Sequence, residues 1–238
     1  MFLSFFEHYF YKSLDNTNDK VKKLNMLKKR NIGVFTGFQR KGRGRKQREW
    51  ESSIGDLACS FLIKDSINVN DLGKINLLIV NSIINILDYL GVKNIKYKWP
   101  NDIFIQNKKL AGILIETTIS KKIINEFVIG IGINFVPKKI KSSIPVISLY
   151  ELNCKVDAIK VFFLISFNIH LFMNSFKYID YEIISKNLTK VFFSKKKLLT
   201  INAIHNIYKG NFIRITPFGE LLMKENGDMK VISYGEIL

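Results

Sequence analysis

Lys98-Trp99-Pro100-Asn101-Asp102, followed by Lys109-Leu110-Ala111-Gly112-Ile113-Leu114-Ile115-Glu116, carries the clearest structural pattern in the chain. The residue before a proline is pushed toward extended geometry, so residues 97–99 read as a strand end and Pro100 opens a turn. Residues 103–106 and 110–117 are two β-like runs around the polar Asn107-Lys108-Lys109, the pattern of a hairpin. The return of the hairpin carries Lys109 toward Lys98 and Asn101, so two cations and an amide converge beside an apolar slot. Taken singly, Lys98 and Lys109 read equally well as solvated hairpin lysines.

Upstream, residues 74–90 have the apolar period of a long helix, closed by Gly91 as a C-terminal stop. Residues 54–63 read as a strand, 32–36 as a short apolar strand, 21–30 as a helix and 1–11 as a buried strand. Residues 37–48 are too rich in Gly and Arg for either element and must be a loop. Downstream, residues 127–135 form a strand interrupted by Gly130 and Gly132, where the missing side chain lets another group approach the backbone. Residues 155–178 are a second long helix. From about residue 192 the chain turns to short strands, with turns at Tyr208-Lys209-Gly210, Pro217-Phe218-Gly219 and Asn226-Gly227-Asp228. The expectation is an α+β chain with a domain over residues 1–190 and a small β domain over 191–238.

With 238 residues, 47% hydrophobic and 24% charged, the chain can bury a good-sized core and does not have the composition of a disordered protein. A formal net charge of +17 ordinarily points to nucleic acid or an anionic membrane. Here Lys, Ile, Asn and Phe are abundant throughout and the basic residues are spread rather than striped. Compositional background is therefore the leading reading, and attraction to acidic partners the second. Cys59 and Cys154 lie far apart with no metal-ligand spacing, which fits a reducing cytoplasm without zinc or disulfides. Glu7, His8 and the lack of a basic n-region argue against a signal peptide. Residues 158–173, interrupted by Lys160, Asn168 and His170, fall short of the ~20 apolar residues of a bilayer span and read as a core helix.

The loop Gln39-Arg40-Lys41-Gly42-Arg43-Gly44-Arg45-Lys46-Gln47-Arg48-Glu49-Trp50 is built to meet an anion. Its glycines permit close backbone approach, and its guanidinium forks pair with carboxylate or phosphate oxygens. A basic linker or an RNA-binding patch is the alternative from this loop alone. Gly130-Ile131-Gly132-Ile133-Asn134 opens no helix, so it is not a dinucleotide fingerprint.

In this order and at these separations the segments resemble the biotin protein ligases. That family has a Gly-Arg-Gly-Arg loop, a Lys-Trp-Pro-Asn-Asp strand end, a Lys-Leu-Ala-Gly-Ile-Leu strand and a Gly-x-Gly-x-Asn strand. The resemblance spans about residues 15–150 and is weaker afterwards, where Ser233-Tyr234-Gly235-Glu236-Ile237 looks like the family's closing Gly-Glu-Ile. It implies a class II aminoacyl-tRNA synthetase/biotin ligase-like mixed sheet flanked by helices, with a small SH3-like C-terminal barrel. It also implies a ligase-only form without a DNA-binding helix-turn-helix, acting on biotin and ATP with Mg²⁺. The implied partner is the biotin carboxyl carrier subunit of acetyl-CoA carboxylase, with no DNA or membrane partner, and the implied fold admits a homodimer. A lipoate ligase is the nearest rival within the same architecture.

By the same resemblance, Lys109, Arg45 and Arg48 are catalytic. Asn16, Thr17, Asn18, Gln39, Gly42, Arg43, Gly44, Arg45, Lys109, Gly112, Gly130 and Gly132 would hold biotin, the last three leaving room for its ring system. Arg43, Arg45, Arg48, Trp50, Asn101, Lys109 and Asn134 would hold ATP, and no protein metal-ligand set is implied. The chain departs from the family's Asp-Ser-Thr-Asn at Asp15-Asn16-Thr17-Asn18, where an amide replaces a hydroxyl. It also departs at Lys41 and Gln47, usually a small residue and a glycine, and at Asp56, where an asparagine is common.

Overall fold

Seven consecutive buried residues, Leu57–Ile63, fit a strand covered on both faces, and this strand is an interior strand of the main sheet. The structure, a computed structural model, describes residues 6–26, 30–138, 144–194, 198–203 and 206–238. In chain order the elements begin with β1 (Phe6–Tyr11), α1 (Thr17–Asn25), β2 (Asn31–Thr36), β3 (Gly42–Arg43) and β4 (Glu49–Trp50). They continue with β5 (Leu57–Ile63), β6 (Ile67–Asn68), α2 (Leu72–Tyr89), β7 (Ile95–Lys98), β8 (Asp102–Ile105), β9 (Lys108–Ser120) and β10 (Ile123–Ile133). Then come α3 (Ala158–Ser175), α4 (Tyr181–Lys190), β11 (Leu198–Asn202), β12 (Ile207–Ile215), β13 (Leu221–Glu225), β14 (Asp228–Ile232) and β15 (Glu236–Ile237).

The main sheet runs β1-β2-β5-β10-β9-β8-β7, with β6 paired to β10. β1 and β2 are parallel and the other pairs antiparallel, so the sheet is mixed as expected. α2 and α3 bury apolar stripes in the principal core, where Phe162 stacks on Phe61 at 5.3 Å between ring centres. α1 seals a smaller cluster of Val21, Ile32, Val34, Leu62 and Val128. By length and composition Ala158–Tyr178 could cross a membrane. In the fold its Val161, Phe162, Ile165, Ile169 and Phe172 are core residues, as the sequence reading held.

The C-terminal strands form an antiparallel sheet in the order β14-β13-β12-β11-β15, with no hydrogen-bonded closure into a barrel among the described residues. Trp99, 1% exposed, donates its Nε1–H to the Gly219 carbonyl at 2.9 Å, tying this sheet to the strand end before the hairpin.

Several local expectations are corrected. Tyr208-Lys209-Gly210 is not a turn but part of β12; a Cβ on Gly210 would lie 2.3 Å from the Lys224 carbonyl oxygen, so this glycine serves strand packing. The β8–β9 turn is Gln106-Asn107, at φ of 50° and 62°, which leaves Lys108 and Lys109 inside β9. The expected helix over 21–30 begins earlier, at Thr17, because Asn16 caps it; residues 27–29, like 1–5 of the expected first strand, lie outside the described residues. The loop over 37–48 contains the two-residue strand β3, paired with β4, and one 3₁₀ turn at Arg45–Gln47. α4, capped by Asp180, was not anticipated.

His8 on the edge strand β1 contacts Phe162 and Phe163 edge-on, and its Nε2 is 2.8 Å from Ser166 Oγ of α3. Burial pushes its pKa down, so the fold prefers the neutral ring. The stabilisation is present above the ordinary value of 6.5 and is lost as pH falls through the lower folded value. Thermal melts from about pH 7.5 to about pH 5, across the His range, should show Tm falling with pH, and His8→Gln should flatten that slope.

Candidate active site

The helix cap that starts α1 also builds one end of a cleft. Asn16 accepts the Asp19 N–H at 3.1 Å and donates to the Lys41 carbonyl at 3.0 Å, so the amide that replaces the family's hydroxyl is engaged as a cap and a loop tie. Next to it, the Thr17 N–H donates to Gln39 Oε1 at 2.7 Å, with Thr17 Oγ1 3.0 Å from the same oxygen. Ser60 Oγ lies 2.7 Å from Thr17 Oγ1 and 2.5 Å from Asn18 Oδ1. Asn18 Nδ2 donates to Glu116 Oε2 at 2.9 Å, which also receives Lys22 Nζ at 2.9 Å. Thr17, Asn18, Gln39 and Ser60 are all buried.

The Gly-Arg loop folds over this end. Arg43 forks onto Asp19 with two contacts of 2.6 Å, a pairing that holds the Asp19 carboxyl below the ordinary carboxylate range. Arg45 reaches Asn101 Oδ1 at 3.4 Å and the Gly235 carbonyl at 3.2 Å, with its guanidinium 5.1 Å from the centre of the Tyr234 ring. Arg48 pairs with both oxygens of Glu236, and Lys46 lies 3.4 Å from the same carboxylate. Hydrogen bonding from Arg48 keeps Glu236 below its ordinary pKa. The C-terminal segment thus clamps the loop.

The hairpin supplies the facing wall. Lys109 Nζ pairs with Asp102 Oδ2 at 2.9 Å and lies 5.3 Å from the centre of the Trp50 ring. Asp102 Oδ1 is buried without a hydrogen-bond partner among the described residues. Asn134 Nδ2 donates to the Lys109 carbonyl at 3.1 Å, and Asn101 Nδ2 to the Ile113 carbonyl at 2.7 Å, so both amides brace the hairpin backbone. Lys98 borders the cleft, but its ammonium lies over Phe104 and Phe193 rather than beside Lys109. A Cβ on Gly132 would sit 2.4 Å from the Trp50 indole and one on Gly130 2.4 Å from Asn18 Oδ1. Within the protein, then, these glycines admit Trp50 and Asn18; Gly112 likewise faces Trp50, at 3.0 Å.

Asn16, Thr17, Asn18, Gln39, Arg43, Gly44, Arg45, Arg48, Trp50, Asn101, Lys109, Gly112, Gly130, Gly132 and Asn134 all line one cleft of about 440 Å³. Gly42 does not line it; a Cβ there would lie 2.3 Å from the Trp50 carbonyl oxygen and 2.7 Å from Gln39 Nε2. Sequence reasoning assigned no role to Ser60, Asp19, Glu116, Glu236 or Lys138. A lone hydroxyl in the apolar run Leu57-Ala58-Cys59-Ser60-Phe61-Leu62-Ile63 was the available signal for Ser60. Among the described residues no group of three His, Cys, Asp or Glu could hold a metal ion.

The biotin/lipoate A/B protein ligase family model matches residues 10–134, more than half of the chain. The chain belongs to this family. Among ligases of the family it is 33% identical over 138 residues to the bifunctional ligase/repressor BirA of Escherichia coli, covering 55% of this chain and 41% of that protein. It is 28% identical over 125 residues to the biotin–[acetyl-CoA-carboxylase] ligase of Paracoccus denitrificans, covering 50% of this chain and 51% of the relative. The chain therefore spans about half or less of the length of these two relatives. The fold is that of the biotin protein ligase from Aquifex aeolicus solved with biotin and ATP: TM-score 0.79, 24% identity, 98% of this chain and 97% of that one.

Asp56, where an asparagine is common in the family, accepts the Ser53, Phe135 and Val136 N–H groups and pairs with Lys138. Lys138 also donates to the Glu51 carbonyl at 3.1 Å, so the pair joins the exit of the Gly-Arg loop to the end of β10. Its side chains are 2% and 4% exposed. Removing one partner of a buried pair typically costs ~3–5 kcal/mol, while replacing both by neutral groups costs far less. Lys138→Met should therefore destabilise the chain by about 3 kcal/mol in urea unfolding, and Asp56→Asn/Lys138→Met should recover most of the loss.

Proposed function

We propose that this chain is a biotin protein ligase that joins biotin to ATP as biotinyl-5′-AMP and then transfers biotin to a lysine of a biotin carboxyl carrier protein. The observation that supports it most is a single cleft with a hydrogen-bonding recess at Thr17, Asn18 and Gln39 and with Lys109, Arg43, Arg45 and Arg48 around its other walls. A bicyclic urea with an acid-bearing tail suits the recess, and phosphates suit the cations.

A carboxylate is a poor acyl donor because its charge repels nucleophiles and oxide does not leave. In the proposed first step a biotin carboxylate oxygen attacks the α-phosphorus and pyrophosphate departs, leaving a mixed anhydride. Charge accumulates on the phosphoryl oxygens, and a fixed cation there is worth ~3 kcal/mol of barrier. Lys109 is assigned to the carboxylate and α-phosphate, held in place by Asp102. Arg43, Arg45 and Arg48 close over the adenylate and exclude water. Arg43 would exchange its Asp19 partner, and Arg48 its Glu236 partner, in part for phosphate oxygens. Asn101 and Asn134 flank the nucleotide, and Trp50, lying over Gly112 and Gly132, offers an aromatic face.

In the second step the carrier lysine amine attacks the acyl carbon, AMP leaves with the bonding pair, and the amine loses a proton. That amine must first be neutral, against an ordinary pKa of ~10.4. Asp102, which lines the cleft and has one buried oxygen lacking a partner among the described residues, is assigned to take that proton. Mg²⁺ would neutralise the ATP phosphates. Since Asp102 is one carboxylate already paired with an ammonium, the ion would be held chiefly by phosphate and water.

The division at residues 190 and 191 is retained as a proposal, as is a reducing cytoplasm for the free Cys59 and Cys154. The RNA-binding alternative is weakened because Arg43, Arg45 and Arg48 are engaged with protein groups around the cleft. Lipoate lacks the polar head that the recess suits. With ATP, biotin and a carrier domain, the wild-type chain should label the carrier, and Lys109→Ala should slow labelling by about two orders of magnitude or more. Equal labelling by both would remove Lys109 from the chemistry. Labelling with lipoate instead of biotin would replace the proposal.

A further inference from the structure

We propose that Lys138 and Asp56 are positioning residues for the nucleotide, which act through the Glu51 carbonyl to fix the Trp50 face relative to Lys109. The inference rests on the biotin and ATP reading of the cleft and deepens it.

The Gly-Arg loop is anchored in two halves. Its entry half is tied to the segment that opens α1: the Leu14 N–H donates to the Phe38 carbonyl at 3.0 Å, the Arg40 N–H to the Leu14 carbonyl at 2.8 Å and the Lys41 N–H to the Asp15 carbonyl at 2.8 Å. With Gln39 Oε1 held by the Thr17 N–H, these bonds keep the entry half on the recess. The two halves meet in the β3–β4 pair and in a contact of 3.3 Å from the Gln39 N–H to Ser52 Oγ.

The exit half is held by Asp56 and Lys138. Asp56 accepts the Ser53 N–H at 2.6 Å with one oxygen and the Phe135 and Val136 N–H groups at 2.9 and 3.3 Å with the other, so the loop exit and the end of β10 share one carboxylate. Lys138 pairs with that carboxylate and donates to the Glu51 carbonyl at 3.1 Å. Glu51 directly follows Trp50, whose indole lies against Gly132 and Gly112. A bond from a buried ammonium to that carbonyl restrains the Trp50 ring against swinging out before a ligand arrives.

Beyond Lys138 the chain comes back along the Lys109 backbone: the Lys109 N–H donates to the Pro145 carbonyl at 2.8 Å and the Ile147 N–H to the Lys109 carbonyl at 3.0 Å. The Tyr150 N–H then donates to the Phe135 carbonyl at 3.1 Å, beside the Asp56 acceptor. The ion pair therefore stands between the aromatic face proposed for the base and the ammonium proposed for the α-phosphate. Their spacing has to match the reach from base to α-phosphate within one nucleotide. A neutral asparagine at 56 could accept the same backbone N–H groups but would leave the Lys138 ammonium buried without a counter-charge, so in this chain the aspartate is what lets the lysine serve as the tether.

The test is biotin-dependent exchange of labelled pyrophosphate into ATP by the whole chain, which reads KM for ATP and for biotin without a carrier. Asp56→Asn/Lys138→Met, in which the donor to Glu51 is gone but no charge is left unpaired, should raise KM for ATP about tenfold, the effect of one hydrogen bond from a charged group, and leave KM for biotin unchanged. Trp99 is 1% exposed, so of the chain's two tryptophans Trp50 is the one open to acrylamide, and quenching of the intrinsic fluorescence should rise in the same variant. Lys138→Gln is one bond too short to span Asp56 and Glu51 yet leaves Asp56 its backbone donors; it should raise KM for ATP in the same way and carries the test if the double variant does not fold. A folded double variant with the wild-type KM for ATP, or with wild-type quenching, overturns the proposal. So does a rise of both KM values together, the mark of a merely structural role. A wild type without exchange would instead overturn the biotin and ATP reading beneath it.

Discussion

The register of β9 between its two neighbours decides whether there is a site at all. On one side Gly112 faces Gly132 and Leu114 faces Gly130 on β10. On the other, Ile103 faces Ala111 while Phe104 faces Lys109, so one extra residue, Leu110, is inserted opposite β8. In an unbroken strand, residues 109 and 112 would point to opposite faces. The bulge restores them to one face, and the Lys109 side chain passes 3.2 Å from the Cβ direction of Gly112 beside Asp102. Without that extra residue the ammonium would be directed into the apolar core, where an unpaired charge is prohibitive.

Around that face, scarce acids organise abundant bases. The chain has 20 Asp and Glu against 37 Lys and Arg, and several of the acids are placed where they orient a cation of the cleft. Asp19 forks Arg43, Asp102 holds Lys109, and Glu236 holds Arg48. Asp56 anchors Lys138 at the loop exit. These pairings cost the cleft little of its attraction for phosphate, because the surplus positive charge of the chain persists, while each pair removes side-chain freedom before a ligand arrives. The C-terminal sheet takes part in the same way: Gly235 and Glu236 meet the Gly-Arg loop, and Gly219 accepts from Trp99, so a remote segment preorganises the walls of the cleft.

Much of the fold could be read from residue order, since strong local signals were present. The apolar periods of α2 and α3, the stop at Gly91, the apolar runs of β2 and β5 and the turns at Gly219 and Asn226-Gly227 are short-range features with short-range causes. The errors share the opposite character. Gly210 looked like a turn residue but is required by the approach of the Lys224 carbonyl from a neighbouring strand. Asn107-Lys108-Lys109 looked like the hairpin turn, but the pairing of β8 with β9 puts both lysines inside β9.

Residue order is enough to say which chemical groups exist and how they follow one another: the Gly-Arg loop, the Lys109 strand, the paired glycines of β10 and an α+β arrangement to carry them. Which of those groups share a face, and which partner each one meets, depends on strand pairing and on contacts made across the fold. The Arg48–Glu236 clamp and the Ser60–Asn18–Glu116 hydrogen bonds join residues far apart in the chain, and the bulge at Leu110 exists only in the pairing of β8 with β9. Periodicity reports only neighbours along a strand or helix, whereas parity across a bulge and hydrogen-bond direction are set by partners that the linear order does not reveal.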